Sequence, residues 1–259
     1  MTGRTIPHWA AGPVAAALIV TMLVAGCMPD PVTEQARAVR DLWSQFLIAS
    51  VLVGGTVWIL ITFALLRYRR PRRAEGIEPA APRQSHGSTR LEVAWTAIPI
   101  VIILVLFGLT MGALGRIDAR SPSGVTVQIE AFRWQWRFDY PGTGVAIVGG
   151  PDTPAEMVVP AGEPIHIVLT SGDVAHSFYV PQFLFKRDAI PGFTNEFDVT
   201  IDEPGVYRGQ CAEFCGVFHA RMLLSVRAVS RADYDAWLTT APRPSLAAIP
   251  LPSASGETP

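Results

Sequence analysis

The sequence predicts a membrane-anchored α+β protein, in which a two-helix transmembrane hairpin is followed by a β-sandwich or barrel outside the cytoplasm. Three observations predict it. Hydrophobic residues make up 49% of the 259 positions and gather in three blocks of the first half, a distribution that fits membrane segments better than one large core. Arginines gather in one short connection between two of those blocks. From Val125 onward the pattern changes to short alternating stretches separated by turn signals.

Residues 1–26 have the pattern of a secretory signal: Arg4 in a short positive start, an apolar run from Trp9 to Val24, and small residues at the end. The sequence LVAGC, Leu23 to Cys27, resembles the bacterial lipoprotein cleavage box, which implies cleavage before Cys27 and lipidation of its thiol. A plain leader with an incidental cysteine, or an uncleaved anchor helix, is the alternative.

Residues 27–116 form the predicted membrane hairpin. Residues 30–41 are polar and charged, and Leu42 to Leu66 is then an uncharged run of 25 residues. Val93 to Gly115 is a second, of 23 residues, with Pro99 placed to kink it. Each is long enough to span a bilayer with some tilt. Arg67, Arg69, Arg70, Arg72, Arg73, Arg83 and Arg90 lie between them against only Glu75 and Glu78, which marks the connection as cytoplasmic. An arginine cluster between two spans is not a nucleic-acid patch, so no nucleic-acid partner is expected. Everything after Arg116 is therefore outside. Glu92 stands at the cytoplasmic mouth of the second span, where a solvated helix-end carboxylate is the plain reading.

Residues 117–238 form the β domain. The stretches VTVQIEAFRWQWRFDY, IHIVLTS, NEFDVTID, VYRGQ and MLLSVRAV alternate apolar and polar residues, and PGTG, PAGEP, IPGF and DEPG separate them. On a strand, FRWQWRF would put Trp134 and Trp136 on the same face. DYDAWL, within 231–238, has a short helical pattern, and the Pro/Ala/Ser-rich tail 239–259 has the composition of a disordered segment.

The chemistry lies in CAEFCGVFHARM, Cys211 to Met222. Cys211 and Cys215 are four apart, His219 follows by four and Met222 by three, with Glu213 and Gly216 at the bends. His176, in DVAHSF, is the candidate second histidine. Thiolate, imidazole and a weak thioether together suit electron-transfer copper. A disulfide between the two cysteines, a structural zinc site, and an ordinary turn histidine at 176 are the competing readings. No C-x-x-C-H is present, so no covalently attached haem is expected.

These residues resemble the copper loop of subunit 2 of haem-copper cytochrome c oxidase, the binuclear CuA domain. The resemblance runs from about Leu42 to Leu238 and takes in LEVAWTAIPIVIIL, RWQWRFDYP, DVAHSFYVPQF and FKRDAIPG. It implies a cupredoxin-like Greek-key β-barrel and two coppers bridged by the thiolates of Cys211 and Cys215. It assigns His176 and Met222 to one copper, and His219 with the backbone carbonyl of Glu213 to the other. It further implies that the Glu213 side chain reaches a magnesium ion shared with subunit 1, a hard cation suited to oxygen. Trp134 becomes the residue through which electrons enter, and Glu92 lies near a proton-uptake route.

The implied partners are subunit 1, with haem a and haem a3–CuB, subunit 3, and a soluble or membrane-tethered cytochrome c, with membrane lipid around the spans. The implied complex of a bacterial cell membrane reduces oxygen and pumps protons, and this chain is one part of its active machinery. Asp139, Asp152, Glu156 and Asp173 are candidate charges for steering a basic donor. A quinol-oxidase subunit would lack the copper ligands, and a membrane-anchored copper carrier or assembly protein would need neither Trp134 nor two bridging cysteines.

Overall fold

The computed structural model describes residues 28–68, 87–122, 124–150 and 153–243. The leader, Cys27, most of the arginine-rich connection, Asp152 and the tail from 244 lie outside the described residues.

Two long helices open the fold. Helix α1 spans Glu34–Arg67 and α2 spans Thr89–Ile117, with Pro99 inside it. They pack side by side, and their large apolar side chains point outward, as a lipid-facing surface requires. Both are longer than their uncharged runs. At about 1.5 Å per residue the 34 residues of α1 reach roughly 50 Å, beyond the ~30 Å hydrocarbon core. The excess of α1 is its polar start, residues 34–41, ahead of the predicted span from Leu42. Thr33 caps it by accepting the Ala36 N–H at 3.0 Å.

That start is docked on the β domain. Thr33, Gln35, Ala36 and Ala38 are buried, and Thr33 forms an antiparallel bridge with Ile201. The Asp202 N–H donates to the Val32 carbonyl at 2.9 Å, and Arg37 pairs with the Asp202 carboxylate. On the other side of the hairpin, Asp118, just past α2, pairs with Arg187.

The β domain is two five-stranded sheets. Its strands are β1 (Val125–Phe132), β2 (Gln135–Tyr140), β3 (Val145–Val148), β4 (Ala155–Pro160) and β5 (Pro164–Ser171), then β6 (His176–Tyr179), β7 (Lys186–Ala189), β8 (Asn195–Thr200), β9 (Gly205–Cys211) and β10 (Leu223–Val229). One sheet has the order β3-β2-β1-β5-β8 and the other β4-β10-β9-β6-β7. The pairs β1–β5 and β4–β10 are parallel and the others antiparallel.

Alternation sets the core. Val127, Ile129 and Ala131 of β1, Ile165, Ile167 and Leu169 of β5, and Leu224, Val226 and Ala228 of β10 all point between the sheets. Strand β4 is buried on both faces because helix α3 (Arg231–Thr240) covers its outer side with Tyr234 and Trp237. The Tyr140 hydroxyl bridges into this region, donating to the Val158 carbonyl at 3.0 Å and accepting the Val158 N–H at 2.8 Å. Helix α3 outruns the predicted DYDAWL by two residues to Thr240, and Ala241 is still buried.

The run VTVQIEAFRWQWRFDY is a hairpin and not one strand. The chain turns at Arg133 and Trp134, and Gln135 pairs with Phe132. The two tryptophans therefore do not share a strand face. Trp136 is wholly buried, whereas Trp134 sits on the turn and is only partly covered.

Candidate metal centre

The site lies where β6, the end of β9 and the loop before β10 meet. His176 opens β6 and Cys211 closes β9. The Cys211 N–H donates to the Met222 carbonyl at 2.9 Å, which brings the two ends of the loop together, and the Ala212 N–H donates to Ser177 at 3.0 Å, which holds the loop against β6. Gly216 takes φ +114°, a conformation that a side chain rarely adopts. A one-turn 3-10 helix at His219–Arg221 then aims His219 and Met222 back toward the cysteines.

The ligand-type atoms converge. Cys211 Sγ lies 3.9 Å from Cys215 Sγ and 3.8 Å from His176 Nδ1. Cys215 Sγ lies 3.5 Å from His219 Nδ1 and 3.8 Å from Met222 Sδ. The Glu213 carbonyl oxygen is 3.2 Å from Cys211 Sγ. All six predicted ligand residues are thus in one place. His176 and Met222 are fully buried, and both cysteines nearly so. The sulfurs are far beyond the ~2.05 Å of a disulfide, and the cysteines are free. A buried thioether facing the thiols is a donor that zinc does not usually recruit.

Electrostatics prepare the donors. Burial opposes charge on the Cys211 thiol, but its contacts with His176, the Glu213 and Ser177 backbone and His219 together outweigh it and pull the thiol below its ordinary range. Burial, and then the neighbouring Cys211 thiolate, push Cys215 up. Burial also opposes protonation of His176, and Cys211 and Asp173 more than offset it. Asp173 is held at about 2 because, against burial, it accepts hydrogen bonds from His176, from the Arg133 and Val174 backbone and from the Arg133 side chain.

Trp134 touches this loop directly. Its indole N–H donates to the Cys215 carbonyl at 3.1 Å, and its ring meets Phe218 edge-on at 4.9 Å. A Cβ on Gly216 would sit 3.4 Å from the indole, in ordinary contact, so the glycine is required by the turn's positive φ and not by the ring. Trp136 lines the inner side of the site, 6.4 Å from the His176 ring.

Comparison with known proteins decides the family. The transmembrane-domain model of cytochrome c oxidase subunit II matches residues 19–111, and its periplasmic-domain model matches residues 151–229. The chain belongs to the cytochrome c oxidase subunit II family. It is 35% identical over 247 residues to the probable cytochrome c oxidase subunit 2 of Streptomyces avermitilis, covering 80% of this chain and 76% of that protein. It is 33% identical over 232 residues to cytochrome c oxidase subunit 2 of Alkalihalophilus pseudofirmus, covering 85% of this chain and 65% of that protein. The crystal structure of the periplasmic domain of subunit II from Bradyrhizobium japonicum is 33% identical, covers 47% of this chain and 95% of that one, and gives a TM-score of 0.44. As in this family, the chain pairs a membrane anchor with a cupredoxin-like domain on the outer side.

Other predicted positions stand apart from the copper loop's donors. Glu92 is exposed in the first turn of α2, where the helix dipole favours a carboxylate. The Glu213 side chain points away from the sulfurs and pairs with Lys186 at 3.1 Å, which also holds Asp188 at 3.0 Å. Of the acids expected to steer a donor, Asp139 pairs with Arg137, Glu156 with Arg227 and Asp173 with Arg133. Sequence reasoning missed the contact of Asp173 with His176, for which the i, i+3 spacing in DVAH was the available signal.

Proposed function

We propose that this chain is the electron-accepting subunit of a bacterial respiratory cytochrome c oxidase. The single observation that carries the reading is the convergence of two cysteine sulfurs, two imidazole Nδ1 atoms, one thioether and the Glu213 carbonyl on one buried point. In this reading Cys211, Cys215, His176, His219, Met222 and the Glu213 carbonyl would together hold two coppers. The copper pair, when bound, would share one charge and so take up and release single electrons with little rearrangement.

The protein's own residues supply the rest. The sheets fix His176 and Cys211, and burial of His176 and Met222 keeps water from the ligands. Trp134 spans the distance between the outer surface and the Cys215 backbone, which supports it as the place where a cytochrome c, soluble or membrane-tethered, delivers electrons. Haem a and the haem a3–CuB site of subunit 1 would supply the onward electron route, oxygen reduction and proton translocation. Subunit 3 completes the complex. A magnesium ion at Glu213 would draw its remaining oxygen ligands from subunit 1 and would displace Lys186. Glu92 marks the mouth of proton uptake on the cytoplasmic side, and a lipidated Cys27 adds an anchor on the outer side of the bacterial cell membrane.

Copper loading tests the reading. The full chain in detergent should take up two coppers and show a delocalised mixed-valence signal by electron paramagnetic resonance. One exchangeable copper per chain would overturn the reading in favour of a copper carrier.

A further inference from the structure

We infer that the outer face of the sheet β4-β10-β9-β6-β7 carries a docking groove, and that its occupant is the chain's own C-terminal segment, residues 244–259.

The groove crosses the sheet from β4 over β10 to β9 and continues past Pro181 to the segment ahead of α1. Two cavities form it, of about 700 and 520 Å³, and they share Pro181, Val206 and Arg208. Strand alternation makes its lining apolar. Tyr207 and Leu224 point between the sheets, so their neighbours Val206 and Leu223 point outward, 58% and 43% exposed. Pro154 stands at one end of the groove and Val32 at the other. Covering such side chains removes apolar area from water and is favourable.

Charge narrows the choice of occupant. Of the charged side chains that line the groove, Asp30 pairs with Arg40 and Glu156 with Arg227. Arg208, at the middle, makes no ion pair or hydrogen bond among the described residues. An apolar trough with one unanswered cation fits an apolar segment that carries one acid. Residues 244–259 have that composition: Leu246, Ile249 and Leu251 lie among prolines and small residues, and Glu257 is the only charged side chain.

The segment also starts beside the groove. The Pro242 carbonyl accepts the Ala146 N–H of β3 at 3.4 Å, which fixes where the chain leaves the β domain. Three residues further along, a Cβ on Gly149 would lie 2.8 Å from the Ala155 nitrogen, so Gly149 abuts the residue after Pro154. At ~3.3 Å per strand residue, the near end of the groove is roughly 10 Å from that exit. Residues 244–259 can reach about 50 Å when extended, enough to run the length of the groove. A segment tethered this close is present at an effective concentration in the millimolar range, so weak contacts suffice to hold it.

The test uses the full chain in detergent, a chain ending at Arg243, and a fluorescent peptide of residues 244–259. By fluorescence anisotropy the peptide should bind the shortened chain with a Kd below about 1 mM. It should bind the full chain about 10-fold more weakly, because the chain's own segment competes at millimolar effective concentration. Arg208→Glu in the shortened chain should weaken binding roughly 3- to 10-fold, because an attractive surface pair becomes a repulsive one. A peptide with Glu257→Arg should bind the unsubstituted shortened chain more weakly and recover affinity for Arg208→Glu, a readout that a folding defect would not produce.

No binding to the shortened chain at about 1 mM peptide would overturn the inference, since the tether could not then fill the groove. Equal binding to the full and shortened chains, or binding indifferent to Arg208→Glu, would overturn it too. Self-association of the shortened chain that Arg208→Glu abolishes, without peptide binding, would assign the groove to a second copy and overturn it as well.

Discussion

The indole N–H of Trp134 donates to the backbone carbonyl of Cys215, at 3.1 Å across 81 positions of sequence. The partly exposed tryptophan is thereby bonded to the peptide of a proposed copper ligand. Trp134→Phe keeps a ring against Phe218 but removes this donor, a loss of about 1 kcal/mol of local stability. The expected outcome is slower oxidation of reduced cytochrome c with the copper spectrum intact, measured by stopped-flow reduction of the oxidase. An unchanged rate would remove Trp134 from the path.

Gly216 lies under the same indole. Its φ of +114° predicts that Gly216→Ala strains the loop by about 1–3 kcal/mol. A lower midpoint of thermal unfolding, together with weaker copper retention, is expected. Calorimetry on the metal-free and copper-loaded chain separates the two effects.

The candidate thiol and thioether donors differ in kind. Cys215→Ser is nearly isosteric and should leave the β domain folded by circular dichroism while abolishing the mixed-valence signal. Met222→Leu preserves the volume of a fully buried side chain, and such swaps cost less than about 1.5 kcal/mol. It should keep two coppers with a shifted potential, because the weak thioether donor is the one removed. A normal spectrum in Cys215→Ser would show that the sulfur does not bridge.

Thr33 carries both the cap of α1 and a bridge to Ile201. Thr33→Ala should lose about 1 kcal/mol and make the junction of helix and β domain more open to limited proteolysis. Cleavage near residue 33 at the unsubstituted rate would mean that the cap does not hold the junction.

The membrane spans were legible because a missing charge over more than twenty residues is a property of the chain alone. The polar start of α1 was not, since its burial depends on Ile201 and Asp202, far away in sequence. Strands with one wet face, such as β5 and β10, showed their alternation, whereas β4, covered by α3, and the short β6 and β7 did not. The convergence of the candidate ligands was legible from residue type and spacing, because a metal demands particular donor atoms. The partners of Asp173 and of the Glu213 side chain were not, because a surface carboxylate takes whichever cation the fold brings near, here Arg133 and Lys186.

The attachment of Val32 and Thr33 to the strand end at Ile201 and Asp202, with the Asp118–Arg187 pair on the other side, has a mechanical consequence. A head moored at two points cannot swivel like one hung from a single tether. The distance from its candidate metal centre to the bilayer is then set by the architecture and not by how far the head swings.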